Sequence, residues 1–100
     1  MRQLKDKTHT SLSANKKFRA LVFVALSPDA YNNPEKIADI LAKYEEVESA
    51  DIVAGNWELA LKIRTKDQNE FYDFLKKAIH KEKSIVKINS IISLKHIKPI

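Results

Sequence analysis

The single glycine and the single tryptophan of this 100-residue chain stand two positions apart, in Gly55-Asn56-Trp57-Glu58. A glycine at a two-residue link supplies the positive φ that a tight hairpin turn requires. Backbone N–H groups freed at such a turn can hold a carboxylate. Glu58 can pair with an ammonium, and Trp57 can wall the space with apolar surface. The four residues read either as part of a small-ligand pocket at a hairpin tip, or as a turn glycine beside a tryptophan anchored in the core.

Other chemistries find little support. The chain has no Cys and no G-x-S-x-G, and no Gly-rich stretch could cradle phosphates. His9, His80 and His96 are scattered, and none has a second histidine or carboxylate at i+3 or i+4 on a shared face that would suggest a metal pair. No cofactor is expected. RNA-recognition motifs stack bases on aromatics of their central strands. Here those strands would offer only Phe18, Phe23 and Trp57, without the basic-aromatic consensus of that family.

The elements that must position the turn follow from periodicity. Phe18 to Leu26 (FRALVFVAL) is one strand long and rich in β-branched and aromatic residues. Its two faces are Ala20, Val22, Val24, Leu26 and Leu21, Phe23, Ala25, and both are apolar. After a loop over 27–33, Asn33-Pro34 is an N-cap followed by proline at the first helical position. Ile37, Ile40, Leu41, Tyr44 and Val47 then form a helical stripe of about three turns, and Glu45, Glu46 and Glu48 close it with charge that opposes the helix dipole. Residues 49–54 and 57–65 read as strands of a hairpin around Gly55-Asn56. Asp67 and Glu70 form a capping box before a second helix with Phe71, Phe74, Leu75, Ala78 and Ile79 on its buried stripe. A last strand is expected over 85–97.

The order β-α-β-β-α-β predicts an α+β, ferredoxin-like sandwich. Two right-handed crossovers place both helices on one face of the sheet. The other face is then bare, although the first strand is greasy on that side too. Large bare apolar patches are rare on monomers. Two copies are therefore expected to pack sheet to sheet, through Leu21, Phe23 and Ala25, as a homodimer with the form of a dimeric α/β barrel.

Composition agrees with one globular domain: 44% of residues are hydrophobic and 31% charged. No run approaches the ~20 apolar residues of a membrane-spanning helix. The lack of cysteine suits a reducing cytoplasm. The net charge of +5 resides in the first 19 residues, where six basic side chains face Asp6 alone. The remainder carries twelve basic and twelve acidic residues. Such a neutral body gains little from phosphate neutralisation. Residues 1–17 are expected to be a flexible basic leader, and 18–100 the domain.

Residues 18–98 resemble the RAM domain, the effector-binding and oligomerisation module of the Lrp/AsnC (feast/famine) transcription regulators. The opening strand of that module is matched by Arg19-Ala20-Leu21-Val22-Phe23-Val24-Ala25-Leu26. The end of its first helix, with the following strand, is matched by the run from Tyr44 through Val47 and Val53 to Gly55. Its G-x-Y/F-D-x-x-L turn looks like Gly55-Asn56-Trp57-Glu58-Leu59-Ala60-Leu61, and its last strand is matched with Ser90 at a threonine position and Leu94 at a leucine position. The resemblance implies a sandwich dimer, assembly of dimers into rings, and amino-acid effectors bound between dimers near the turn. The matching ligand-binding candidates are Gly55, Trp57, Glu58 and Ser90. Glu58 is one methylene longer than the family's aspartate and Trp57 bulkier than its tyrosine or phenylalanine, which reshapes such a pocket.

Family regulators carry a helix-turn-helix domain ahead of this module. The 17 residues before Phe18 show no helical period. The expectation is a stand-alone effector-binding domain that does not touch DNA itself but modulates regulation through assembly, with itself or with a full-length Lrp/AsnC-type regulator. Rival readings are a small dimeric α/β-barrel enzyme of the monooxygenase type, which needs a titratable pocket between sheet and helices, and a purely structural partner of such a regulator.

Overall fold

The computed structural model describes residues 16–98. The leader expected over residues 1–17 lies outside them except for Lys16 and Lys17. Strand β1 is Phe18–Leu26, as the composition predicts, and its exposure alternates: Ala20, Val22, Val24 and Leu26 are buried, while the residues between them are only partly covered. The loop after it holds one helical turn, Pro28–Tyr31, opened by a proline. Helix α1 spans Pro34–Ala42 with Asn33 at its N-cap, although the Asn33 side chain makes no capping hydrogen bond.

This helix is a full turn shorter than its apolar stripe suggested. Ile37, Ala38 and Leu41 are its buried residues, and Ile40 is exposed. Val47, expected on the stripe, begins strand β2, Val47–Ile52. The acidic cluster explains the early stop. Glu45, Glu46 and Glu48 leave in three directions, to Lys16 at 3.3 Å, Lys77 at 2.7 Å and the Arg64 Nε at 3.2 Å. A continued helix would hold all three carboxylates near its negative end, where the dipole disfavours them.

Strand β3 is Leu59–Thr65, pairing antiparallel with β2 and with β1. Helix α2, Gln68–Phe74, starts at Asp67, whose Oδ1 accepts the Glu70 N–H at 2.9 Å. The Glu70 carboxylate reaches back to the Lys66 N–H rather than to that of Asp67, one residue beyond a standard capping box. The helix continues as a π-helical segment, Leu75–Ile79. Of the expected stripe, Phe71, Phe74, Ala78 and Ile79 are buried, and Leu75 is partly buried against the same core. Strand β4 is Ile85–Ile92, shorter than expected, and the chain beyond it leaves the sheet with Leu94 96% exposed.

The sheet order is β2-β3-β1-β4 with every pairing antiparallel. This is the α+β ferredoxin-like arrangement, with β1 and β3 central. One core joins Val22, Val24, Leu59, Leu61 and Ile63 of the sheet to Ile37 and Leu41 of α1 and to Phe71 and Phe74. Phe18 leans on Phe71 with ring centroids 5.4 Å apart, which removes it from the set of exposed aromatics that an RNA platform would need. The other sheet face has no layer over it among the described residues. There Leu21 lies between Lys62 and Ile91, and Phe23 between Ala60 and Asn89. Leu21 remains 37% exposed and Ile91 49% exposed.

Candidate functional site

The hairpin tip is longer than the two-residue link read from Gly55-Asn56. The ladder ends at Ile52 and Leu59, and the Val53 N–H donates to the Glu58 carbonyl at 3.0 Å, so that residues 54–57 make the turn. Gly55 takes φ +128°, a conformation L side chains rarely adopt, with open space where a Cβ would stand. The glycine is thus required by backbone geometry and not by crowding. Trp57 and Glu58, expected inside the strand, precede it.

Trp57 is half-buried, and it packs neither in the helix-side core nor free in solvent. Its ring faces Phe23 at 6.3 Å, and the Lys87 Nζ stands 5.8 Å from its centroid. Since Phe23 and Lys87 belong to the uncovered sheet face, the tryptophan extends the apolar stripe of that face up to the turn. Glu58 is tied down. Its N–H donates to the Val24 carbonyl at 2.9 Å, and its Oε1 accepts the Leu26 N–H at 2.7 Å. Leu26 stands where the β1–β4 register shifts, so the carboxylate serves a backbone group at an irregularity of the ladder. The second oxygen of Glu58 takes no hydrogen bond among the described residues.

Gly55, Trp57 and Glu58 are therefore brought together at one end of the molecule. Ser90 is not with them. It pairs with Val22 on the far edge strand, which places it on the helix-side face and away from the turn of its own chain. Leu21, Phe23 and Ala25 line up as expected on the uncovered face.

Sequence reasoning missed a second feature. A concavity of 480 Å³ lies on that face at the opposite end of β1, bordered by Arg19, Leu21, Lys62, Arg64, Ile91 and His96. From Leu21 to Leu26 is five residues, roughly 17 Å of strand, so the concavity and the turn are separate places. Alternation along β1 and β3 could have grouped Arg19, Lys62 and Arg64, but only once the strand register was known. Between sheet and helices, where an enzyme of this topology would need its pocket, the fully buried Val22, Val24, Leu41, Leu59, Leu61, Phe71 and Phe74 fill the space. Among the described residues no His, Asp or Glu cluster could hold a metal, and no helix is long and apolar enough to cross a membrane.

Comparison with known proteins places this geometry. No curated protein sequence matches the chain. Solved structures do. A protein from Thermus thermophilus superposes with a TM-score of 0.74 at 16% identity, over 83% of this chain and 100% of that one. An AsnC family transcriptional regulator from Agrobacterium tumefaciens gives 0.76 at 19% identity, and the match spans 86% of this chain but only 56% of the regulator. A transcriptional regulator from Neisseria meningitidis, solved as a complex with L-Met, gives 0.75 at 23% identity, over 98% of this chain and 70% of that one. At these identities the likeness is one of fold. The sequence itself matches the model of the Lrp/AsnC ligand binding domain over residues 19–100, from the first central strand through the turn and the last strand, and the chain belongs to that family.

Proposed function

We propose that this domain senses an amino acid and transmits its binding through assembly. Two copies pack their uncovered sheet faces together as a homodimer. The turns at 54–57 then lie at the rim of the sandwich, where dimers meet in a higher oligomer and the effector is held. The effector carboxylate meets backbone N–H groups around Gly55, its ammonium meets the unused oxygen of Glu58, and Trp57 walls its side chain. Ser90 contributes from a neighbouring copy, because the register keeps it away from the turn of its own chain. The effector acts by population shift, stabilising one assembly state in proportion to its differential affinity. The domain does no chemistry on the ligand. It acts on regulation by assembling with itself or with a full-length regulator of the family, and its charge-balanced body from residue 20 onward makes no direct claim on DNA.

One observation carries this reading: a stripe of Leu21, Phe23 and Ala25, continued by Trp57 to the turn, has no covering layer among the described residues. The family membership adds that the turn belongs to a ligand-binding module. Sedimentation equilibrium is expected to return at least twice the 11.5 kDa chain mass. Phe23→Glu is expected to reduce it to a folded monomer. A ligand at ten times its Kd adds about 1.4 kcal/mol. In a domain of this size that raises the melting temperature by about 6–11 °C. The twenty amino acids at millimolar concentration, starting with L-methionine, provide the screen. A wild-type monomer at micromolar concentration overturns the assembly, and a melting temperature unmoved by all twenty overturns the sensing.

A further inference from the structure

The concavity at the Arg19 end of the uncovered face is bordered by Arg19, Lys62 and Arg64, with one carboxylate among them. Arg19 and Arg64 are paired across the β1–β3 ladder, and Lys62 opposes Leu21 two residues along, so three cationic side chains rise from the same side of two adjacent strands. One carboxylate borders the space, Glu48, and it already meets the Arg64 Nε at 3.2 Å. Among the described residues no carboxylate pairs with Arg19 or Lys62. His96 stands at the rim.

We propose that this concavity is an anion site for a small doubly negative molecule, a short dicarboxylate or a phosphate monoester. Arg19 presents a planar fork suited to a carboxylate or phosphoryl group. Lys62 supplies a mobile point charge for the second negative group. The hydroxyls of Ser49 and Ser93, both bordering the space, can donate to the remaining oxygens. Leu21 and Ile91 floor the space, and a second copy packed on this face would close it over a short carbon chain.

Pairing of copies through this face strengthens the argument. The cations of one copy would then be drawn into a drier space, and charge taken out of water must be balanced. An anion bound there does so. The site stands apart from the amino-acid site at the turn, at the other end of β1, and either can fail without the other.

The test is isothermal titration of the full chain with succinate and, separately, with inorganic phosphate, at low and high sodium chloride. Saturable binding that weakens with salt is expected for at least one probe. Tighter succinate assigns the dicarboxylate class, and tighter phosphate the phosphoryl class. Arg19→Gln and Lys62→Met, each checked for fold by circular dichroism, are expected to weaken binding by about tenfold or more. Lys76→Met, which removes the same charge from the exposed side of the π-helical segment, is expected to leave it unchanged. The proposal is overturned if neither probe gives saturable heat at millimolar concentration. It is equally overturned if Lys76→Met weakens binding as much as Lys62→Met, since the attraction would then be one of net charge alone.

Discussion

Replacing Glu58 by alanine tests whether the turn is a dangling loop or a braced one. The Glu58 Oε1 accepts the Leu26 N–H at 2.7 Å, a short contact of the kind a charged acceptor makes. Leu26 is 6% exposed and sits at the register shift between β1 and β4, so its N–H depends on that carboxylate more than a regular ladder donor would. A hydrogen bond to a charged group contributes about 1.5–3 kcal/mol. Glu58 is half-buried and water can reach its place, so the lower part of that range applies. Glu58→Ala should cost about 1.5–2 kcal/mol, equivalent to a fall of about 6–16 °C in melting temperature. Glu58→Gln keeps an acceptor oxygen and should lose about half as much. Urea unfolding followed by circular dichroism measures both, with the slope m unchanged if only the native contact is lost. Protein concentration must be held constant, since self-association would add its own stabilisation. The bracing argument fails if Glu58→Ala unfolds within about 0.3 kcal/mol of the parent, because the loss of a needed acceptor for a buried N–H cannot be that small. The outcome also bears on sensing. A carboxylate offers several lone-pair positions, so one oxygen can brace Leu26 while the other meets an ammonium. An effector would then bind to a group already held in place, with little ordering left to oppose it.

Gly55→Ala should destabilise the domain by about 1–3 kcal/mol, the range for an L residue held in a glycine-only backbone conformation. Open space around the position removes any steric share, so a shift in the urea midpoint reads the φ of +128° alone. Lys77 bridges to Glu46 at 2.7 Å, and this hydrogen bond raises its pKa above the ordinary 10.5, against the opposing pull of desolvation. A raised folded-state pKa makes the pair's stabilisation complete below pH 10.5 and lost as pH climbs through the raised value. Urea midpoints from about pH 9 to about pH 11.5 should therefore fall less steeply for Lys77→Met than for the parent. At neutral pH the same substitution strands the buried Glu46 and should cost roughly 1–2 kcal/mol, less than for a fully buried pair because the lysine side chain is 48% exposed.

The fold was legible where alternation or capping decided the outcome. β1 could be placed to the residue because the apolar run Phe18–Leu26 is one strand long, is rich in β-branched and aromatic side chains, and stops at Ser27-Pro28. Asp67 and the Phe71, Phe74, Ala78, Ile79 stripe located α2. The end of α1 was not legible. Tyr44 and Val47 continue the helical spacing, and only tertiary pairing decides otherwise: Glu46 is drawn to Lys77, thirty-one residues away, and Val47 to the ladder with Ile63. Helical periodicity is a local signal, and these are long-range attachments. The last strand was overread in the same way. Leu94 and Ile97 fit its alternation, but β1 gives β4 no partner beyond Ala20, and the chain turns out at Ser93, whose N–H donates to the Arg19 carbonyl.

The candidate site divides along the same line. The turn with Gly55, Trp57 and Glu58 was readable because its members are adjacent in sequence. What each member does was not. Trp57 chose the uncovered face over the core because its neighbours there are Phe23 and the Lys87 ammonium, an apolar and cationic seat that only cross-strand register creates. The Glu58 carboxylate is shared with Leu26 because a register shift falls thirty-two residues earlier. Ser90 carried the right residue type at the right spacing, yet parity puts it beside Val22 on the other face, so any role at a turn must come from between copies and not from within one. The Arg19, Lys62 and Arg64 group was invisible for the opposite reason. Each cation taken alone reads as a solvated strand residue, and their sum becomes a site only when β1 and β3 are laid side by side on a face that two copies would close.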